Sequence, residues 1–369
     1  MDDADRPSYP ALKEIFDRVR LASIADEAGA VSSGFDRDRF MAVATKDLDD
    51  LGIMQRMRQT AVALEAALGL PFPRAAGALR ELAPRIDHGF AAIALCEYVA
   101  LYGRDHFDVA MATLHDLTRH GSAEFAVRHF LAADFDRTLA VMRGWTGDTD
   151  EHVRRLASEG SRPRLPWSFR LERAIADPSL TFPIPEALRS DPSAYVRKSA
   201  ANHLNDIGKD HPDWLLDRLA AWPTDAAEVR WVVRHALRML VKKGDARALR
   251  LIGATGAAEV RVEAFTVTPA QLKLGERLRI AARLVSTGPE RQRLVVDYAI
   301  HYVKKSGATS RKVFKLREAD LEPGTAWDAS TSQTVRDFTT RSHNAGFHRV
   351  ELMVNGVVLA ASGFELVCT

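Results

Sequence analysis

Three similar stretches decide the fold of this chain: DTDEHVRRLASE (148–159), DPSAYVRKSAANHL (191–204) and DAAEVRWVVRHAL (225–237). Each begins with an acidic or Asp-Pro lead-in, followed by a Val-Arg pair and by apolar residues at the three- and four-residue spacing of an α-helix. A fourth Val-Arg pair is Val127–Arg128, and the four pairs are separated by 26, 43 and 33 residues. Self-similarity at this spacing indicates stacked helical repeats with a concave binding face.

The helical spacing continues outward from these stretches, from Leu12 to about Leu251, in segments such as LKEIFDRV, MRQTAVALEAAL and AAIALCEYVALY. Glycine and proline interrupt it at short intervals, which predicts brief connections between packed antiparallel helices. The expected fold class is therefore mainly α, a helical-repeat solenoid over residues 1–256 that is similar to HEAT-like repeats. Each Val of a pair is expected to pack between helices, while each Arg either bonds a neighbouring turn or reaches a ligand.

The pattern changes after Gly256, where apolar and polar residues alternate in segments rich in Val, Phe and Tyr, such as VRVEAFTV, LRIAARLVS and RLVVDYAIHYV. Such alternation predicts β-strands. Asn355-Gly356 between two apolar runs is a strong signal for a two-residue hairpin. Residues 257–369 are therefore expected to form an all-β immunoglobulin-like sandwich without its usual disulfide.

Cysteine and motif usage excludes several classes of function. The two cysteines, Cys96 and Cys368, lie far apart, and the chain has no CxxC, HExxH, Walker loop, GxSxG or strand-linked GxGxxG motif. We therefore expect no metal site and no cofactor. The acidic N-terminus does not resemble a signal peptide, and no apolar run reaches the roughly 18 residues of a membrane span, so a soluble cytoplasmic protein is expected.

The net charge of +2 is unevenly distributed along the chain. Residues 1–150 carry 17 Lys and Arg against 24 Asp and Glu, whereas residues 151–250 carry 18 against 13 and residues 251–369 carry 16 against 12. A localised basic face is what a nucleic-acid backbone would favour. The alternative is an ordinary solvated helical surface, and charge alone does not decide between the two.

A proline-stiffened basic segment, EGSRPRLPW (159–167), follows the first of the three stretches. Its two prolines favour an extended backbone, which would hold Arg162, Arg164 and Trp167 out from the helices. Arginines interleaved with an indole suit phosphate contacts together with stacking on a base or sugar. The alternative is a loop between repeats in which Trp167 covers the core.

Two further segments contain candidate site residues. In HGSAEFAVRHFL (120–131), Glu124 stands just before an apolar stripe, and a place in the first helical turn, where it would complement the helix dipole and cap free amides, explains this residue by itself. In AYVRKSAANHLNDI (194–207), Asn202 and Asp206 share one helical face. Such polar residues form either a buried network between repeats or the lining of a site.

Together, HGSAEFAVRHFL, HVRRLASEGSRPRLPW and DPSAYVRKSAANHLNDI resemble blocks of the AlkC-type DNA alkylation repair glycosylases, which belong to the HEAT-like superfamily of the AlkC and AlkD types. The resemblance covers roughly residues 10–250, and the tail is similar to the immunoglobulin-like domain of one AlkC subgroup. It implies an enzyme that excises cationic N-alkylated bases, chiefly N3-methyladenine and N3-methylcytosine, from duplex DNA by hydrolysis of the N-glycosidic bond. It implies neither a metal nor a cofactor, and no obligate protein partner.

The resemblance also assigns residues. It places Glu124, Glu159 and Asp206 as the carboxylates of the lesion cleft and Trp167 as its aromatic wall. Either Glu159 or Asp206 would stabilise the sugar cation and position water, and Glu124 would place negative charge opposite the cationic base. The residues expected at the DNA backbone are Arg128, Arg154, Arg162, Arg164, Arg197, Lys198, Arg230 and Arg234. The rival interpretation is a noncatalytic HEAT-like scaffold that binds DNA or protein, which would predict no converging carboxylates.

Overall fold

A computed structural model describes residues 11–254, 256, 258–337 and 342–367. The acidic N-terminal decapeptide and Cys368 lie outside these residues. The chain forms two compact units, Met1–Ile207 and Gly208–Thr369, and each unit is described by itself. The units do not divide where helices give way to strands, and the domain boundary near residue 256 stays a prediction.

The described part of the chain begins with a 3-10 helix, Leu12–Phe16, which is followed by α-helices connected by short turns, several of which contain a single turn of 3-10 helix. Most helices are amphipathic, and their apolar residues form a core that extends from Phe16 to Ala200 in the first unit. The helices are α1 (Arg18–Val31), α2 (Arg37–Ala44), α3 (Ile53–Leu68), α4 (Phe72–Leu82), α5 (Gly89–Tyr102), α6 (Phe107–Leu117), α7 (Val127–Ala133), α8 (Phe135–Gly144), α9 (Glu151–Gly160), α10 (Glu172–Ala176), α11 (Pro183–Ala187), α12 (Ala194–Asp210), α13 (Pro212–Ala220), α14 (Ala227–Ala236), α15 (Arg238–Lys243) and α16 (Ala246–Leu251).

Three of the Val-Arg pairs share one local structure at the start of α9, α12 and α14. Each Val is buried, and each Arg donates from Nη1 to the backbone carbonyls six and five residues before it. The bonds join Arg154 to Asp148 and Thr149 at 2.9 and 3.0 Å, Arg197 to Asp191 and Pro192 at 2.6 and 2.9 Å, and Arg230 to Thr224 and Asp225 at 2.8 and 2.6 Å. The arginine therefore bonds each helix to the loop that precedes it. Of the two predicted roles, bonding a neighbouring turn or reaching a ligand, this is the first.

The helices are followed by eight β-strands in the described residues, and these form two sheets with the strand orders β1-β3-β6 and β2-β8-β7-β4-β5. Neighbouring strands are antiparallel except for β2 and β8. The strands are β1 (Val260–Thr268), β2 (Gln271–Lys273), β3 (Arg277–Ser286), β4 (Gln292–Val303), β5 (Thr309–Leu321), β6 (Ala326–Thr334), β7 (Gly346–Val354) and β8 (Val357–Val367).

The hairpin predicted at Asn355-Gly356 joins β7 to β8, and both residues adopt the left-handed backbone that a two-residue turn requires, with φ of 47° and 81°. Strands β2 and β6 were absent from the sequence prediction. The sequence of β6, AWDASTSQT, is polar and pairs with β3 alone, so it lacks the apolar alternation that reveals a strand buried on one face.

A buried carboxylate, Asp297, lies on β4, and its Oδ1 makes no hydrogen bond within the described part of the chain. Burial raises the pKa of Asp297 to about 6, although Lys315 and Lys242 act in the opposite direction. Since the ordinary value is 3.8, the folded state holds the proton more tightly than the unfolded state. Ionisation of Asp297 therefore lowers stability as the pH rises from the unfolded to the folded pKa.

We expect Asp297→Asn to raise the free energy of unfolding by about 1 to 3 kcal/mol near pH 7.5, because the amide avoids the buried charge. Near pH 4.5 the effect should be small, since most Asp297 carboxyls in the folded protein are already protonated at roughly that pH. Urea unfolding of both proteins at the two pH values measures this difference. An equal effect at both pH values would mean that the change in stability comes from packing and not from the buried charge.

Candidate active site

Glu159 lies in the last turn of α9, and its position depends on the glycine that ends the helix. A Cβ at Gly160 would lie 2.5 Å from the Cγ1 atom of Val127, so glycine allows α9 to approach the start of α7 closely. Ser161 then donates from its hydroxyl to the carbonyl of Ala157 at 2.6 Å and closes the helix end. These contacts fix Glu159 at the point where the EGSRPRLPW segment leaves the helix.

Arg162 joins two of the predicted carboxylates. Its Nη1 donates to Glu159 Oε1 at 2.5 Å, and its Nε donates to Asp206 Oδ2 at 2.8 Å. The other oxygen of Glu159 accepts a hydrogen bond from the Ser199 hydroxyl at 2.6 Å. One guanidinium therefore fixes side chains from α9 and α12 in a single arrangement.

The third carboxylate, Glu124, is connected to the same group through Arg155. Arg155 Nη1 lies 2.6 Å from Glu124 Oε2, and its Nη2 lies 3.9 Å from Glu159 Oε1. The Ser122 hydroxyl donates to Glu124 at 2.9 Å, and Tyr195 lies over Arg155 with 5.1 Å from the guanidinium carbon to the ring centroid. Glu124 precedes α7 in a turn, not in the first helical turn that the sequence suggested.

We call Glu124, Glu159 and Asp206 the carboxylate cluster. Their side chains are 14%, 8% and 0% exposed, so only the first two reach solvent in this state. Burial alone would lower the pKa of Arg155 and of Arg162, but the neighbouring carboxylates outweigh it and raise both values. The ion pairs therefore hold both arginines as cations inside the site.

A neutral histidine on α12, His203, contacts the residue that precedes Glu159. His203 is fully buried, with its ring nitrogens 3.1 Å from the Ser158 carbonyl and 3.1 Å from the Thr181 hydroxyl. Burial lowers the pKa of His203 to about 3. The ring therefore adds no positive charge beside Glu159 and Asp206 at neutral pH.

Arg128 shapes the segment that follows α9. Its Nη1 donates to the carbonyls of Gly160 at 3.0 Å and Arg162 at 2.6 Å, and its Nη2 donates to the carbonyl of Phe169. Burial lowers the pKa of Arg128 to about 10, which leaves it a cation at neutral pH. One arginine of α7 therefore holds both ends of the loop that contains Arg162 and Trp167.

Two of the expected backbone contacts are corrected by this geometry. Arg128 and Arg162 are buried; Arg128 donates from Nη1 and Nη2 to carbonyls of the protein, and Arg162 donates from Nε and Nη1 to carboxylates. A phosphate could reach neither guanidinium without breaking these bonds, so both residues have structural and positioning roles. The extended loop predicted from the prolines instead folds back onto the helices, and Arg164 is half-buried.

Trp167 is the residue of this loop that does stand out from the helices, with 61% of its surface exposed. Its backbone lies in the left-handed region with φ of 64°, which is strained for a bulky side chain. The indole meets Phe90 edge-on, with 6.3 Å between ring centroids. It also borders a cleft of about 300 Å³ with Phe125, His129 and Phe169. Strain retained at an exposed aromatic is typical of a functional position.

Comparisons with known proteins agree with this architecture. Residues 106–240 match the family described as DNA alkylation repair enzyme, and residues 261–368 match the C-terminal Ig-like domain of the uncharacterised protein YhaZ. YhaZ of Bacillus subtilis (strain 168) is 35% identical over 356 residues, which span 96% of this chain and 99% of YhaZ. The chain is also similar to the solved structure of the Pseudomonas fluorescens alkylpurine DNA glycosylase AlkC, bound to DNA containing an abasic site analogue. That match has 51% identity and a TM-score of 0.94, and it covers 97% of this chain and 100% of the other.

The chain belongs to the AlkC family of DNA alkylation repair enzymes. This membership confirms the predicted class, an AlkC-type repair glycosylase, and the predicted fold, a HEAT-like helical region followed by an Ig-like domain. None of the helices in the described ranges is both long and apolar enough to cross a membrane. The described residues also contain no group of three or more His, Cys, Asp or Glu side chains arranged to hold a metal ion.

The other residues expected at DNA differ in how accessible they are in this AlkC-family chain. Arg154, Arg197 and Arg230 use part of their guanidinium groups on the loops before their helices, and Arg154 also forms two bonds to Asp191. Arg234 pairs with Glu318 within the second unit. Lys198 is exposed on α12. Contacts between DNA and these five residues stay predictions.

The sequence interpretation missed Arg155, which lies next to two members of the carboxylate cluster. Arg155 stands four residues before Glu159 on α9, a spacing that places both side chains on one helical face. That spacing could have identified Arg155 from the sequence. Ser199 lies on the helical face of Asn202 and Asp206, which was also a signal, but its bond to Glu159 depends on the packing of α12 against α9.

Proposed function

We propose that this enzyme hydrolyses the N-glycosidic bond of cationic N3-alkylated bases in duplex DNA, with N3-methyladenine and N3-methylcytosine as substrates. The supporting observation is the convergence of Glu124, Glu159 and Asp206 on two arginines at the end of α9. A noncatalytic scaffold gives no reason to hold three carboxylates together there. Partly buried carboxylates favour the positive charge that develops on the sugar as the base departs.

A cationic base is already a good leaving group, so the protein has little covalent chemistry to perform. The bond between C1′ and the base nitrogen breaks, and its electron pair neutralises the base. Glu159 stabilises the resulting sugar cation and orients a water molecule toward C1′. The water oxygen then bonds C1′, and Glu159 accepts the released proton.

The two other carboxylates have different roles in this proposal. Glu124 is the most exposed of the three and places negative charge opposite the cationic base. Asp206 has no exposed side-chain surface, and its bond to Arg162 Nε keeps that guanidinium directed at Glu159. We therefore assign Asp206 a positioning role. No metal or cofactor takes part in these steps.

DNA is the proposed partner, and exposed cations of the helical repeats supply backbone contacts. Lys198 is one such cation on α12. Because phosphate contacts release counterions, duplex binding should weaken with salt, with a slope of about 0.9 per contact. The expected location of this activity is the cytoplasm.

The decisive experiment is incubation of the purified protein with duplex DNA that carries one N3-methylcytosine or one N3-methyladenine. Alkaline cleavage at the abasic site then reports base release. Strand cleavage that depends on both the enzyme and the lesion supports the proposal. Intact strands with both substrates, from protein that binds the duplex, would show that the proposed activity is wrong.

Trp167→Ala should lower base release by about 2- to 30-fold, because the cationic substrate loses an aromatic face. Alanine, like tryptophan, has a Cβ, so the substitution does not change the strain of the left-handed backbone, and the loop conformation should change little. Trp167→Phe is the matched variant and should retain part of the activity. Single-turnover rates on one methylated duplex measure both variants. If both variants release base as fast as wild type, Trp167 is not in contact with the substrate.

A further inference from the structure

Trp231 on α14 is an exposed aromatic that the proposed mechanism does not use. The residue is 41% exposed, and its indole stacks on His235 one turn later, with 5.0 Å between centroids and an interplanar angle of 6°. The stack fixes the orientation of the indole, so a ligand that packs against it would cost little side-chain entropy. A single exposed indole is common on protein surfaces, so evidence for a binding site must come from the residues around it.

The surroundings of Trp231 are strongly basic. A cleft of about 650 Å³ in the second unit is lined by Trp231, Arg230 and Arg234 of α14, by Arg250 of α16 and by Arg293 of β4. We call it the Trp231 cleft. Four arginines therefore line one concave surface beside an exposed indole, a combination that suits a phosphate group next to a flat apolar face.

Protein carboxylates do not satisfy these arginines completely. Glu318 pairs with Arg234 and, at 3.1 Å, with Arg293, and it also pairs with Lys315. Burial opposes ionisation of Glu318, but hydrogen bonds from Lys315 and Arg293 hold its pKa below the ordinary value. Glu318 is thus a single negative charge among several cations.

Unused hydrogen-bond donors remain in the Trp231 cleft. Arg250 is exposed, and its side chain makes no hydrogen bond or ion pair to another of the residues that the structure describes. The Arg293 side chain is 34% exposed and donates from Nη2 to Glu318, so its guanidinium is partly open to solvent. Accessible guanidinium groups on a concave surface can bind a phosphate oxygen without losing bonds to the protein.

The Val-Arg register gives an independent reason to expect a ligand here. In α9, α12 and α14 the residue after the anchoring arginine is Arg155, Lys198 or Trp231. In α9 this position and the one four residues later carry Arg155 and Glu159 of the candidate active site. In α14 the equivalent positions carry the stacked pair of Trp231 and His235.

We propose that the Trp231 cleft is a second DNA contact, separate from the carboxylate cluster. Arg250 and Arg293 bind one phosphodiester of duplex DNA, and the adjacent deoxyribose packs against the indole of Trp231. The inference rests on the proposed function in taking DNA as the ligand. It adds a binding site and its residues, and its test does not use base release.

The test is binding of the full chain to a short undamaged duplex over a series of salt concentrations. Arg250→Ala should weaken binding and lower the slope of log Kd against log salt by about one contact. Trp231→Ala should weaken binding about fivefold or more at every salt concentration, with its salt slope unchanged. Trp231→Phe should recover most of the affinity.

Arg247→Ala is the matched control for Arg250→Ala. Arg247 lies on the same helix, but it pairs with Asp213 and Asp217 and does not line the cleft. Its loss should leave both the Kd and the salt slope unchanged. Equal effects of the two alanine variants would indicate a general charge effect and would overturn the proposal.

The failure of this inference can be distinguished from failure of the proposed function. If wild type releases no methylated base but Trp231→Ala and Arg250→Ala still weaken duplex binding, the cleft is a DNA contact and only the activity is wrong. If both variants bind the duplex as wild type does, the inference is wrong. Binding of polyglutamate that is lost in Arg250→Ala, with duplex affinity unchanged, would assign the cleft to an acidic protein and would also overturn it.

Discussion

Glu159→Gln is expected to lower the rate of base release by roughly 100- to 1000-fold, because the glutamine amide retains the shape of the side chain and loses its charge. Glutamine can still accept one hydrogen bond from Arg162 or Ser199 through its carbonyl oxygen. It can neither stabilise the sugar cation electrostatically nor accept a proton from water. Single-turnover release from a methylated duplex measures the loss.

Duplex binding separates this chemical effect from a folding defect. Removal of a negative charge from a DNA-facing site should leave the affinity for undamaged duplex unchanged or slightly higher. Glu151→Gln is the matched control, since Glu151 lies in the first turn of the same helix and bonds Ser193. We expect the control to release base at the wild-type rate. Wild-type release by Glu159→Gln would remove Glu159 from the mechanism.

Arg128→Met is expected to lower the free energy of unfolding by about 3 to 5 kcal/mol. Methionine can occupy the space of the arginine stem, but it cannot donate to the carbonyls of Gly160, Arg162 and Phe169. The bonds from Arg128 to these carbonyls hold the two ends of the loop that contains Trp167. The variant should therefore also lose most of its base release, because Arg162 would no longer be held against Glu159.

Urea unfolding measures the effect of Arg128→Met, and Arg74→Met provides its control. Arg74 is exposed on α4, so its replacement should change stability by no more than about 0.5 kcal/mol. A loss below about 1 kcal/mol for Arg128→Met would mean that water replaces the guanidinium without penalty. In that case Arg128 would not be the residue that fixes the loop.

The helical repeats and most strands could be predicted from the sequence because their periodicity is local. The Val-Arg pairs marked three helices, and Asn355-Gly356 marked the hairpin between β7 and β8. Strand β6 could not be predicted in this way. Its stability comes from pairing with β3, which is distant in sequence, and its own residues do not form an apolar stripe.

The structure brings together the three carboxylates that the resemblance to AlkC-type glycosylases implied, whereas it buries two of the arginines that were expected at DNA. Sequence patterns reveal residue types and shared helical faces, such as the face of Asn202 and Asp206 on α12. They do not reveal burial, which depends on how distant segments pack. Arg128 and Arg162 therefore looked like contacts for phosphate, whereas the fold uses both to hold the loop and the carboxylates.

The arginine of each Val-Arg pair has a consequence for how such an enzyme can evolve. Since Arg154, Arg197 and Arg230 bond the same carbonyls relative to their own position, each helix is anchored by its own residues. The residue that follows each of these arginines is consequently not needed to anchor its helix. It can be a cation or an indole without loss of the repeat, so substrate range can diversify one position at a time while the framework is inherited intact.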